Sequence, residues 1–216
     1  ALSAQTAAGG LYEVDTRLRP SGQQGLLAVT VESFLAYERK EAWTWEHMAL
    51  TPARVVHGPE DAAARLLEGI KEVVCQPRDA TKLRKDVLEM RAEMDTHRPA
   101  SSPWDVKRRR GGLIDLEFIA QYLALREAAE GRLPPLGSPA TILGRLTETD
   151  LLPQDVAQSL ASAYDCLSAA QTVLRVGFDS PPQTADINAG MAATLSRCLG
   201  KTSLRNAEAA LSKTCD

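Results

Sequence analysis

From about residue 32 to the end of the chain, apolar side chains recur every three or four positions, in runs that stop at proline or glycine. Only one stretch before them, residues 11–19, alternates instead. A period of 3–4 places one apolar stripe on a helix, whereas a period of 2 sorts side chains to the two faces of a strand. The chain is therefore predicted to be mainly α, with a short β-hairpin in front of an all-helical bundle.

The hairpin is expected from Tyr12, Val14, Thr16 and Leu18 on one face, with Glu13, Asp15, Arg17 and Arg19 on the other. The turn Pro20-Ser21-Gly22 leads to a second apolar run, GLLAVT at 25–30. A lone hairpin is marginal in water, so these strands are expected to belong to a sheet completed upstream of Ala1. A helix is predicted from about Glu32 to Leu50, kinked or ended by Pro52. Further helices are predicted at 59–76, 79–96, 113–130, 139–147, 153–176, 187–199 and 204–212, each bounded by turn residues. Two regions follow: 1–57, the end of a sheet with its connecting helix, and 58–216, the bundle.

Composition removes several functional classes. The 25 basic and 28 acidic residues leave a net charge of -3, so no chain-wide positive field exists to hold nucleic acid or an anionic membrane. Four separated cysteines and three histidines show no zinc-binding spacing. Neither a run of about 18 apolar residues nor the pattern of a signal peptide is present, which predicts a soluble, cytoplasmic chain.

Three constellations carry chemistry. Glu13, Asp15, Arg17 and Arg19 share a strand face, an arrangement suited to a metal-held phosphoryl group; the alternative is a solvated face with cross-strand ion pairs, which edge strands often carry. In Glu41-Ala-Trp-Thr-Trp-Glu-His47 the two tryptophans point to different faces of a helix, and Glu46 could meet Arg54 if the helix survives Pro52; the alternative is that both rings are core. In Lys107-Arg-Arg-Arg-Gly-Gly-Leu-Ile-Asp-Leu-Glu117, Gly111 and Gly112 at a helix start would let a backbone approach an anion. Asp115 lies in the first turn. Glu117 sits among apolar neighbours and is expected to be mostly buried and paired with an arginine or lysine, either in a site or in a structural network.

The motifs YEVDTRLRPSG at 12–22, EAWTWEH at 41–47, ARVV at 53–56 and K-x-x-x-GG-x-x-D-x-EF-x-x-QYL at 107–123 resemble those of the glutamine synthetase adenylyltransferase family. The resemblance implies a chain of two nucleotidyltransferase domains, each followed by a helical domain, one half removing AMP and the other adding it from ATP. The Trp-Thr-Trp-Glu-His form looks like the C-terminal, AMP-adding half. By this resemblance Asp15 is the third of three metal-binding carboxylates and the catalytic residue of this stretch, while Arg17 and Arg19 lie near the phosphates. Lys107, Gly111 and Gly112 are further candidates for the nucleotide, and Glu46, Arg54, Asp115 and Glu117 are candidates for bracing the site. Magnesium and ATP are implied for the full-length enzyme, with glutamine synthetase and the PII signal protein as partners. The family's Gly-Ser followed by Asp-x-Asp is absent, since Gly137-Ser138 leads to Pro139. This chain alone is therefore expected to be inactive and to hold no cofactor. Pro52 stands where the family pattern has a basic residue. The alternative is a helical module that docks glutamine synthetase or PII.

Overall fold

The computed structural model describes residues 9 and 19–213. Nine helices carry the fold among them: α1 (Val31–Lys40), α2 (Thr44–Leu50), α3 (Glu60–Val74), α4 (Ala80–His97), α5 (Leu113–Glu127), α6 (Pro139–Leu146), α7 (Gln154–Gly177), α8 (Ala189–Cys198) and α9 (Leu204–Lys213). Their starts follow from local chemistry. Thr30, Asp79, Ser138 and Asn188 each accept a hydrogen bond from the backbone N–H three residues on, satisfying a donor that the helix itself leaves open. Pro139, which has no N–H to satisfy, occupies the first turn of α6.

No β-sheet is present among the described residues. The expected second strand, 25–30, is a bent connector that leaves Leu26 and Leu27 about three-quarters exposed. A strand is held by a partner's ladder, and here the Gly25 carbonyl is taken instead by Nε of Arg19 at 3.1 Å. The turn at 20–22 forms as expected, closed by Gly22 N–H donating to the Arg19 carbonyl at 2.8 Å. The alternating residues 11–18 lie outside the described residues.

The helix expected over 32–50 is two helices. The N–H groups of Glu41 and Ala42 both turn back to the Tyr37 carbonyl, and Trp43 adopts an extended backbone. The Trp43 N–H then donates to the Glu46 carboxylate at 2.9 Å, so Glu46 opens a new helix from its own third position. That helix ends at Leu50, just before Pro52, and Thr51 passes its carbonyl to the Gly137 N–H at 2.9 Å.

Two apolar clusters form the interior. The larger is built by α5 to α9 around Trp104, Val106, Leu143 and Leu195; the smaller is built by α1 to α4 around Met48, Ile70, Val73 and Leu83. Helix α5 serves both, giving Leu116, Ala120 and Leu123 to the first and Leu125 to the second. This two-sided demand explains a helix that is apolar almost all round. Its polar end is compensated: Glu127 is 2% exposed and accepts bonds from both Arg126 and Arg132. Burial alone would raise this carboxyl, but the two guanidinium groups hold it below its ordinary value.

Candidate functional site

The motif residues gather in two places. The first is the elbow between α1 and α2. Glu46 is 9% exposed and accepts a hydrogen bond from the Tyr37 hydroxyl at 2.8 Å as well as from Trp43 N–H. The backbone of Ser21 lies near the same hydroxyl. Burial and the Glu46 carboxylate together raise the Tyr37 phenol above its ordinary value.

Directly after Tyr37 in the chain, Glu38 is 4% exposed, and its Oε2 has no hydrogen-bond partner. Burial first, and the neighbouring Glu46 second, push its carboxyl up to about 7. His47 meets the Glu38 carbonyl through Nε2 at 2.8 Å and the Arg78 guanidinium through Nδ1 at 3.3 Å. Burial holds this imidazole below its usual value, and the Arg78 charge adds to the effect. Arg78 in turn caps α3, donating to the carbonyls of Val73, Val74 and Gln76 at 2.6–2.8 Å. The arrangement is a buried acid pair braced by a phenol, an imidazole and a guanidinium. Beside it an open cleft of about 600 Å3 is lined by Trp43, Thr44, His47, Asp79, Lys82 and Asp86, among others.

The second place is the start of α5. Gly111 has φ +68, a left-handed conformation that favours glycine. A Cβ on Gly112 would stand 2.6 Å from the Val106 carbonyl oxygen and 2.7 Å from that of Arg109. Asp115 accepts from the Gly111 N–H and from Arg91 Nε. The N–H groups of Gly112, Leu113 and Ile114 go to the carbonyls of Arg109, Val106 and Lys107. The first donors of α5 are therefore bound by the chain's own turn and by Asp115, which brings the negative charge that the helix start favours.

Glu117 is half-buried, less than the expected burial, and no salt bridge or hydrogen bond reaches it among the described residues. Burial raises its carboxyl, and the Lys107 ammonium partly opposes the shift. Lys107 and Arg54 are exposed. The expected approach of Glu46 to Arg54 does not occur: α2 ends at Leu50, and Glu46 turns to Tyr37 and Trp43. Trp43 is 72% exposed and Trp45 half-buried, so the pair is not core. Arg19 closes the 19–25 turn, and Asp15 and Arg17 lie outside the described residues. No hydrogen bond or ion pair joins the elbow residues Tyr37, Glu38, Glu46 and His47 to Lys107, Gly111, Gly112, Asp115 or Glu117 among the described residues.

Glu38, Arg78 and Arg91 were not legible as site residues. Glu38 sits in the charged run Glu-Arg-Lys-Glu, and Arg91 shares a charged helix with Asp95, its i+4 partner. Nothing in the sequence sets either apart. Among the described residues no group of three or more His, Cys, Asp or Glu side chains stands where it could hold a metal ion.

Residues 1–69 match the family model described as Glutamate-ammonia ligase adenylyltransferase, and residues 81–214 match the one described as GlnD PII-uridylyltransferase. The chain is 54% identical over 125 residues to the bifunctional glutamine synthetase adenylyltransferase/adenylyl-removing enzyme of Brucella suis biovar 1 (strain 1330), covering 58% of this chain and 13% of that protein. It is 44% identical over 178 residues to the protein of the same name from Bordetella bronchiseptica (strain ATCC BAA-588 / NCTC 13252 / RB50), covering 81% and 19%. It is 39% identical over 199 residues to that from Xanthobacter autotrophicus (strain ATCC BAA-1158 / Py2), covering 91% and 20%. The chain thus spans a fifth or less of the length of these relatives.

Proposed function

The chain belongs to the glutamine synthetase adenylyltransferase family, and we propose that it is a part of an enzyme that transfers AMP from ATP to a tyrosine of glutamine synthetase. The supporting observation is the 39% identity that runs through 91% of this chain, from the charged N-terminal motif into the helical bundle. In that reaction the tyrosine oxygen bonds to the α-phosphorus, the bond from that phosphorus to the bridging oxygen breaks, and pyrophosphate leaves. The Trp-Thr-Trp-Glu-His motif supports the AMP-adding half.

Within this reading Asp15 is a carboxylate of the catalytic site and Arg17 a phosphate contact. Arg19 contributes by closing the turn that follows them. Tyr37 and Glu46 act as positioning residues that brace the elbow between α1 and α2. Gly111, Gly112 and Asp115 build the start of α5, and their bonding within the chain favours a bracing role over a phosphate contact. Lys107, exposed beside them, remains a candidate for the nucleotide. The described residues do not fit a two-metal site, so no step is assigned through magnesium here.

The whole enzyme is proposed to need ATP and magnesium, which the absent Gly-Ser and Asp-x-Asp ligands would help hold. The 216-residue chain by itself is then inactive. Radiolabelled ATP, magnesium and unmodified glutamine synthetase test this, with the longer enzyme as positive control. Labelling by the longer enzyme, abolished by Asp15→Asn there and absent with the short chain, is the expected result. Metal-dependent labelling by the short chain alone would refute it.

A second reading has its own support. The match of residues 81–214 to a PII-uridylyltransferase model favours a helical domain that docks PII or glutamine synthetase. Calorimetry of the chain against each protein without nucleotide tests it, and no measurable heat with either would discard it.

A further inference from the structure

Helix α4 neutralises its cations one helical turn at a time. Lys82 pairs with Asp86, Lys85 with Glu89, and Arg91 with Asp95, all at i,i+4. One position breaks the pattern. Four residues after Arg84 stands Leu88, which is 58% exposed, and Arg84 has no ion pair among the described residues. Both residues border an open groove of about 470 Å3 between α4 and α5, floored by Val87, Phe118, Ile119 and Tyr122.

The groove is polar in a directed way. At one end Arg91 is bound by Asp115 and Asp95. From there the lining continues past Leu88 and Ile119 to Arg84 and Arg126. Arg126 lies over the Tyr122 ring, 5.3 Å from its centroid, and pairs with Glu127, while Arg132 pairs with both Glu127 and Glu130. Among the described residues Arg84 therefore leaves that end with a positive charge that no carboxylate pairs, on a molecule whose net charge is negative. A lone exposed leucine needs no explanation, but an apolar trough with a cationic end, running between two parallel ridges of helix side chains, has the shape and charge of a helix-binding groove.

We propose that the α4–α5 groove docks an acidic amphipathic helix of a partner protein. That helix lays large aliphatic side chains, one turn apart, against Leu88, Phe118 and Ile119. About one turn further on it presents carboxylates to Arg84 and Arg126. The span from Arg91 to Arg84 is seven residues of α4, roughly 11 Å, which two turns of the partner cover. The inference goes beyond the transfer reaction and does not depend on which protein supplies the helix.

The test is fluorescence anisotropy of the 216-residue chain with a designed helical peptide carrying two leucines one turn apart and two glutamates a turn beyond. The same peptide with lysines in place of the glutamates is the control. No glutamine synthetase or nucleotide is present, so failure here is separate from failure of the enzymatic reading. The acidic peptide should bind at least about tenfold more tightly than the lysine peptide, with the preference shrinking at high salt. Leu88→Asp and Arg84→Glu should each weaken it about tenfold, and Arg84→Glu should shift the preference toward the lysine peptide. Both positions are exposed, and unchanged circular dichroism of the variants checks that the fold is kept. Equal binding of the two peptides, or no effect of either variant, overturns the proposal. So does self-association of the chain that Leu88→Asp abolishes, which would make a second copy the occupant. So does a Leu88→Cys thiol shielded from reagents in the longer enzyme without any partner, which would place another part of the same chain there.

Discussion

Glu38 concentrates the cost of the elbow in one side chain. Its carboxyl is buried beside Glu46 with one oxygen unbonded, and its value in the fold, about 7, stands above the ordinary 4.5. A carboxyl raised by folding binds more protons in the native state than in the unfolded chain between those two values. Stability must then fall as pH rises from about 4.5 to about 7, and stay level above. Glu38→Gln removes the charge but keeps the shape. The variant should be more stable than the parent at pH 8, by on the order of 2 kcal/mol, with the gap closing toward pH 5. Urea unfolding at the two pH values measures this. A gap that is constant with pH, or of opposite sign, would mean that Glu38 is already partnered when ionised.

At the scale of the element, the start of α5 decides what the paired glycines are for. The Gly112 backbone is extended, so any residue could adopt it; the obstacle is the close approach of the Val106 and Arg109 carbonyl oxygens. These are backbone atoms of a turn whose other bonds are all made, so a methyl group forces that turn open. Gly112→Ala should cost about 2 kcal/mol or more and lower Tm by roughly 4–8 °C, with no nucleotide present. Calorimetry of the free chain checks it. An unchanged Tm paired with lost nucleotide binding in the longer enzyme would restore the anion-binding reading of this motif.

For the molecule as a whole, α5 is the element that joins two interiors. Leu123 and Leu125 belong to different clusters, so neither cluster can lose its contacts to α5 without exposing the other side of the same helix. The two halves should therefore unfold together. Trp104 reports on the larger cluster, in which it is 1% exposed, and Trp45 lies on α2 beside the smaller. Variants that retain only one of these tryptophans should give the same urea midpoint by fluorescence as by far-ultraviolet circular dichroism. Two separated midpoints would show that α5 does not couple the clusters.

The sequence alone determined the helices after residue 58. Their apolar period, their capping residues and the prolines between them are local properties, and each acts within about one turn. It also set certain stretches apart, because charged motifs with paired glycines or tryptophans stand out from ordinary helix surface. Tertiary structure decided the rest. The second strand was unreadable because a strand exists only with a partner, and none lies beside residues 25–30 among the described residues. The break at Trp43 was missed because it depends on where one carboxylate, Glu46, finds its donors. Glu38 and Arg91 resemble any other charge on a solvated helix face until packing buries the first beside Glu46 and sets the second on Asp115. Spacing along a chain fixes the face of a helix on which a side chain lies; only the packing of helices fixes what that face meets.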